Sequence, residues 1–359
     1  MKSITIYKIK RILAHIRFKF IIQTSFKNSK KCKEIEGNFS GQRVFIIANG
    51  PSLNKTPLYL LKGENILCFN RINLMLERLN FTPNMYMVVD DLLGSDMVDE
   101  IKEMISITEH SFFPRVQFGT NITNFKKFYG NNPKIKYLYI HSKQLTSNTF
   151  EETIKKGFPW TIIGRTVTVA GLQTMMHLGF SEIYIVGLDM NYVLHKSSTI
   201  IGASHAIQSD KDDDPNHFDP RYFGKGRKYH QPVEDTVMSM FNSFEILSAF
   251  AKKNGYRIYN ATIGGKVECF ERINIFELLK EKNAESIFAK LIVDKSGLVL
   301  GEIINENIVE PEFFNTINLD HFNINETDIE EAIKKCINDY IPFGPYLNKY
   351  ILINRKIIK

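Results

Sequence analysis

Arg43-Val44-Phe45-Ile46-Ile47-Ala48-Asn49-Gly50-Pro51-Ser52-Leu53 is an apolar, partly β-branched run that stops abruptly at four turn formers. A run of this kind reads as a buried strand, and Gly-Pro-Ser after it as a turn leading towards a helix start. Gly50 lets backbone N–H groups approach a ligand closely, and Ser52 is placed to cap the next helix, whose N-terminus favours anions. A phosphate or a nucleotide suits such a turn. The stretch has neither the Gly-Lys-Ser/Thr of a Walker loop nor the GxGxxG of dinucleotide folds, so no motif supports ATP or NAD.

Beyond this stretch, strand-like runs alternate with helical patterns: 43–48, 66–70, 85–89, 135–140, 183–186 and 257–259. Residues 168–178, closed by Gly179, and 233–254, closed by Gly255, read as crossover helices. The alternation predicts an α/β fold with a mostly parallel, Rossmann-like sheet and helices on both faces. Ligands of such sheets bind outside the carboxyl ends of the strands. Those ends are polar here: Asn49, Asn70, Asp90 with Asp91, Asp189 and Asn260. Together they predict a polar crevice, although each alone is also an ordinary turn former.

Three other segments frame this domain, which is expected over 39–283. Residues 191–230 have little periodicity and read as a lid loop that orders over a ligand, with Asp210–Asp214 as its solvated outer part. Residues 284–359 read as a small C-terminal appendage. Residues 1–38 form a basic lead: ten Lys and Arg and no acid occur before residue 34, in a chain of net charge +7. Ile9, Ile12, Leu13, Ile16 and Phe20 recur at helical spacing between those bases, which suits the headgroup layer of an anionic inner leaflet. An amphipathic helix packed on its own domain is the plainer alternative. No nucleic-acid module follows it.

The 359 residues, 43% hydrophobic, suffice for a large core. Cys32, Cys68, Cys269 and Cys336 are far apart with no ligand spacing, so neither disulfides nor structural zinc is expected and a cytoplasmic location follows. There is no membrane-span run and no signal-peptide pattern, so membrane contact is expected to be peripheral.

For acid–base chemistry, His230 stands at the end of the lid just before a helix and is the first choice for a general base; His217 and His205 are weaker. Arg227 and Lys228, with Lys225, are placed to neutralise phosphate. Asp90 and Asp91 suit magnesium with a diphosphate, or a sugar hydroxyl, and Asp189 shares that ambiguity. The run Asn260–Gly265 adds another donor-rich turn.

NGPSL after the first strand, VVDD at the third, VGLD, YFGKGRKYHQP and YRIYNATIGGKVECFERI together resemble the MptE-like, motility-accessory-factor domain of bacterial glycan loci, over roughly residues 40 to 280. The first turn is also similar to that of the sialyltransferases of glycosyltransferase family 42, which use a CMP-activated sugar without a metal. This second resemblance implies that Asn49, Gly50 and Asn70 contact the nucleotide and that His230 deprotonates the acceptor. Asp90-Asp91 departs from it, since those enzymes carry an asparagine there, and their tyrosine pair that assists the leaving phosphate has no match in the sequence, although Tyr222 and Tyr229 are nearby. The expected function is an inverting glycosyltransferase acting on a surface-glycan or lipid-linked acceptor, with a nucleotide-sugar donor and no further cofactor. Pro51 and Ser52 are expected in the nucleotide turn, and Arg227 or Lys228 beside the departing phosphate. The alternatives are a magnesium-dependent 6-hydroxymethyl-dihydropterin diphosphokinase, with Asp90 and Asp91 at the metal, and a non-catalytic scaffold of a glycan locus.

Overall fold

The computed structural model describes residues 26–279, apart from 57, 80, 118–120, 142, 143, 202–205, 231 and 232, together with residues 12, 13, 16 and 19–21 and three strands between 289 and 309. His205, Cys336 and most of the expected basic lead and C-terminal appendage lie outside the described residues. The strands in chain order are β1 (Arg43–Ile47), β2 (Asn65–Phe69), β3 (Met85–Met87), β4 (His110–Gln117), β5 (Asn121–Ile122), β6 (Ile135–Ile140), β7 (Trp160–Thr161) and β8 (Glu182–Val186). A second group follows: β9 (Ser198–Ile201), β10 (Ala206–Ser209), β11 (Lys228–His230), β12 (Arg257–Asn260) and β13 (Glu271–Arg272).

One sheet runs β13-β12-β8-β1-β2-β3-β4-β6-β7, with β5 paired antiparallel to β4 and every other pairing parallel. The apolar runs are near-continuous because both faces of these strands are covered. On one face Val44, Ile46, Leu67 and Ile183 pack with helices Val167–Leu178 and Glu234–Lys253; on the other Phe45, Ile47, Cys68 and Val186 pack with helix Val98–Ile107. The expected fold class is thus the observed one. Helix Val167–Leu178 ends as expected at Gly179, whose φ of 101° is the left-handed conformation that closes a helix without a Cβ penalty.

The order of strands matters for the site. From β1 the chain winds outward through β2, β3, β4 and β6, then returns to place β8 on the other side of β1. The reversal leaves a crevice at the carboxyl ends of β1 and β8, where ligands of such sheets bind.

Three expectations need correction. The lid is not a plain loop, because β9, β10 and β11 form an antiparallel sheet of their own. Asp213 and Asp214 are not solvent decoration either: Asp214 is buried and accepts from His217, Asn216 and Phe223, while Asp213 pairs with His195. The body also begins before residue 39. Asn28 exchanges two 2.8 Å hydrogen bonds with the backbone of Tyr137, and Cys32 is fully buried. Strands Ala289–Val293, Val299–Ile304 and Asn307–Val309 form a separate antiparallel sheet.

Candidate functional site

Gly50 and Asp189 define the crevice floor. Ser52 donates its Oγ–H to Asp189 Oδ2 at 2.7 Å and its backbone N–H to Oδ1 at 3.2 Å, while Gly50 N donates to the Gly187 carbonyl at 2.9 Å. The turn after β1 is therefore tied to the turn after β8. Burial raises the Asp189 carboxyl above the usual carboxylate range, and the two Ser52 hydrogen bonds oppose that rise. A Cβ on Gly50 would lie 1.9 Å from Asp189 Oδ2 and 2.7 Å from the Gly187 carbonyl. Gly50 is thus required by the approach of protein to protein, which corrects the expectation that it serves chiefly the approach of a ligand. Ser52 is buried and belongs to this lock, and no cap hydrogen bond from a side chain forms at the short 3-10 helix that Pro51 opens.

Above the lock lies a cavity of about 980 Å³ whose wall includes Asn49, Gly50, Pro51, Asn70, Asp90, Asp91, Asp189 and His230. The expected strand-end residues other than Asn260 all line it. The side-chain oxygens of Asn49 and Asn70 are buried and make no hydrogen bond of normal geometry among the described residues, the Asn70 amide lying beside the Tyr222 hydroxyl. Asp90 caps helix Asp91–Asp96 by accepting from Leu92 and Leu93 N–H, and Asp91 accepts from the Asn124 N–H at 2.9 Å. Among the described residues three non-glycine residues have positive φ, Asn70 at 49°, Arg165 at 68° and Met190 at 55°, and all three stand on this wall. Backbone held in that region costs about 1–3 kcal/mol and clusters at binding sites.

The lid supplies the opposite wall. Tyr222 stacks on His217 at 3.9 Å and Tyr229 on Phe223 at 3.9 Å, each pair within 2° of parallel, and all four rings line the cavity. The lid is fastened to the β1 turn, where Phe218 N donates to the Asn49 carbonyl and Asn54 to the Phe218 carbonyl. Buried Arg71 donates to the Arg221 and Tyr222 carbonyls, and Arg78 pairs with Asp219. The Tyr222 hydroxyl sits next to Asn70 without a hydrogen bond of normal geometry.

Several expected residues go elsewhere. Arg227 is spent on Asp96 at 3.1 Å and Glu100 at 2.7 Å, latching the lid to the helices after β3 rather than facing a phosphate. Lys228 is exposed and off the cavity wall. Asn260 is buried beneath the last turn, donating to the Val267 carbonyl and accepting from Thr262 N–H, and it also stands off the wall. In their place the structure brings in Arg165, which sequence reasoning missed. It is exposed, makes no hydrogen bond or ion pair among the described residues, and precedes Thr166, the N-cap of helix Val167–Leu178. A cation and a helix N-terminus thus meet at one side of the cavity. The overlooked signal was Gly164-Arg165-Thr166 directly before an apolar helix.

A magnesium ion is poorly served. Among the described residues no three His, Cys, Asp or Glu side chains converge, Asp90 and Asp91 are engaged by backbone N–H groups, and Asp189 is engaged by Ser52.

Residues 20–194 match the model of a family described as 6-hydroxymethylpterin diphosphokinase MptE-like. The resemblance read from the sequence stands over that segment, while YFGKGRKYHQP and NATIGGKVECFERI lie beyond it. No curated protein matches the chain. Among solved structures, the chain is similar to the MAf glycosyltransferase from Magnetospirillum magneticum AMB-1, at 15% identity and a TM-score of 0.41, covering 68% of this chain and 36% of that one. The chain therefore spans about a third of the length of that protein. It is also similar to the sialyltransferase CstII from Campylobacter jejuni in complex with cytidine-5'-monophosphate, at 15% identity and a TM-score of 0.38, covering 83% of this chain and 98% of that one.

Proposed function

We propose that the chain is a glycosyltransferase that moves a sugar from a nucleotide donor, a CMP-activated nonulosonic acid, onto a hydroxyl of a surface-glycan or lipid-linked acceptor. The observation that carries this reading is the convergence of Asn49, Asn70 and His230 on one cavity, with two buried amide oxygens that make no hydrogen bond of normal geometry among the described residues. Amide oxygens accept, so they suit the exocyclic amine of a base or ribose hydroxyls rather than phosphate. Arg165 and the helix end beside it suit the anionic part of the donor. In the reaction His230 takes the proton of the acceptor hydroxyl, and the acceptor oxygen bonds to the anomeric carbon. The carbon–oxygen bond to the phosphate breaks, its electron pair leaves with the nucleotide, and the configuration inverts.

The test is thermal unfolding with CMP and with ATP, each with magnesium and with chelator. CMP is expected to raise the midpoint equally under both conditions. The family match favours one rival, a magnesium-dependent pterin diphosphokinase. A rise with ATP that needs magnesium, and none with CMP, would replace the transferase by that rival.

The acceptor side of the reading includes a membrane surface. Ile12, Leu13, Ile16 and Phe20, which recur at helical spacing in the sequence, are 58–65% exposed, in the acid-free lead of ten bases. No helix of the described residues is long and apolar enough to cross a membrane. The chain is expected to sediment with phosphatidylglycerol-containing vesicles and not with phosphatidylcholine alone, and high salt is expected to release it. Equal binding to both vesicles, or no loss on changing Ile12 and Ile16 to Ser, would overturn this.

A further inference from the structure

His195 and His217 stand on either side of the acidic run of the lid. His195 is 2% exposed and has both ring nitrogens engaged, Nε2 with Asp213 Oδ1 at 2.8 Å and Nδ1 with the Tyr229 hydroxyl at 2.6 Å. His217 has only one engaged. Its Nδ1 lies 2.7 Å from Asp214 Oδ2, its ring stacks on Tyr222, and Phe223 stands at 89° to it with centroids 5.1 Å apart. The other nitrogen, Nε2, makes no hydrogen bond among the described residues and is not sealed from solvent. The ring lines the cavity and keeps 17% of its side chain exposed.

Asp214 fixes the hydrogen on the engaged side. Its buried carboxylate accepts from His217, from Asn216 N–H at 2.9 Å and from Phe223 N–H at 3.1 Å. Burial would raise this carboxyl, but the hydrogen bond and charge of His217 and the two backbone N–H groups hold it below the usual carboxylate range. An ionised carboxylate only accepts, so Nδ1 of His217 carries a hydrogen. In the imidazolium form the ring carries a second hydrogen, on Nε2, and neutralises the buried charge beside it.

The place of the ring decides what that second hydrogen meets. Phe218, the next residue, donates its N–H to the Asn49 carbonyl at 3.1 Å, and Tyr222, on which the ring stacks, lies beside the Asn70 amide. His217 is therefore held between the two strand ends on which the proposed nucleotide site is built.

We infer that His217, held by Asp214, is a catalytic acid of the transfer, its Nε2–H meeting the donor phosphate and passing to it as the sugar departs. The inference rests on the transferase reading. As the bond between the anomeric carbon and the phosphate oxygen breaks, its electron pair stays on that oxygen, which takes the Nε2 proton. The N–H electron pair remains on His217, now neutral, and a proton from water restores the ring after CMP leaves. The proton of the acceptor hydroxyl goes to His230, so the two histidines serve opposite ends of the reaction.

His217→Asn in the full chain tests this, because an asparagine amide reaches the place of Nδ1 and still donates to Asp214 while Nε2 is gone. Calorimetry is expected to show cytidine bound equally by both proteins and CMP bound about tenfold more weakly by the variant, the loss of one hydrogen bond to a charged group. Release of CMP from CMP-N-acetylneuraminate is expected to slow by a factor of about 10². Equal CMP affinity in both proteins, or an equal loss for cytidine and CMP, overturns the inference and leaves His217 a structural member of the lid. CMP release that is unchanged in the variant, or absent from both proteins, overturns the role as acid. If the unmodified chain binds neither cytidine nor CMP, the transferase reading itself falls and this role falls with it, an outcome distinct from binding that ignores the substitution.

Discussion

Gly50→Val is expected to lower the thermal midpoint by roughly 6–12 °C, from a loss of about 3 kcal/mol at 2–4 °C per kcal/mol for a domain of this size. The side chain has nowhere to go. Its first atom would overlap Asp189 Oδ2 at 1.9 Å and Asp189 Cγ at 2.6 Å, and moving Asp189 aside breaks both bonds from Ser52 in a buried place. The Gly187 carbonyl at 2.7 Å is backbone of the neighbouring turn and blocks the other escape. Asp189→Ala alone leaves the Ser52 hydroxyl and N–H without their acceptor, which costs about 1–3 kcal/mol. The double variant is expected to lose clearly less than the sum, because one lock can be broken only once. Unfolding in urea with all three variants checks this. An unchanged midpoint for Gly50→Val, with CMP binding lost, would return Gly50 to the ligand-approach role first read from the sequence.

His230→Ala is expected to cut transfer from a CMP-activated sugar by a factor of about 10²–10⁴ while leaving the unfolding midpoint where it was. The two halves of that statement have separate causes. A positioned base is worth that factor when the acceptor proton must leave in the transition state. Stability is spared because the imidazole is exposed, makes no hydrogen bond or ion pair among the described residues, and stands on a strand whose pairing with Ala206 uses the backbone alone. The loss should fall on kcat more than on KM, and the variant should bind CMP normally. A turnover within a few-fold of the unmodified chain would move the base elsewhere on the wall.

The sequence discloses some parts of this molecule better than others, for physical reasons. Strands buried on both faces must be apolar throughout, so β1, β2, β6 and β8 are legible as runs. β4 lies just as centrally yet reads His-Ser-Phe-Phe-Pro-Arg-Val-Gln, and Pro114 within it sits at an irregularity in its pairing with β6, where a missing N–H is tolerated. Asn49, Asn70 and Asp189 were found because the carboxyl ends of parallel strands share one edge. Asn260 obeyed the same rule and still failed, since its amide is consumed within its own turn. The lid was the hardest part. His195, Asp213 and Tyr229 are separated by 18 and 16 residues and meet only because β9, β10 and β11 fold the lid onto itself, a pairing of short strands with no apolar period to announce it.

The position of β1 has a consequence for how the chain leaves the ribosome. Its partner on one side, β2, is synthesised within about twenty residues, and β3, β4 and β6 follow in turn. Its partner on the other side, β8, begins only at Glu182, so the β8-facing edge of β1 must wait through the making of 134 intervening residues, Ala48 to Ser181. During that interval an apolar strand edge is open to any other nascent chain. The Ser52–Asp189 lock cannot close before then either, and so the crevice above it is among the last features of the nascent protein to exist. A ligand of that crevice would therefore hold together the two halves that synthesis keeps longest apart.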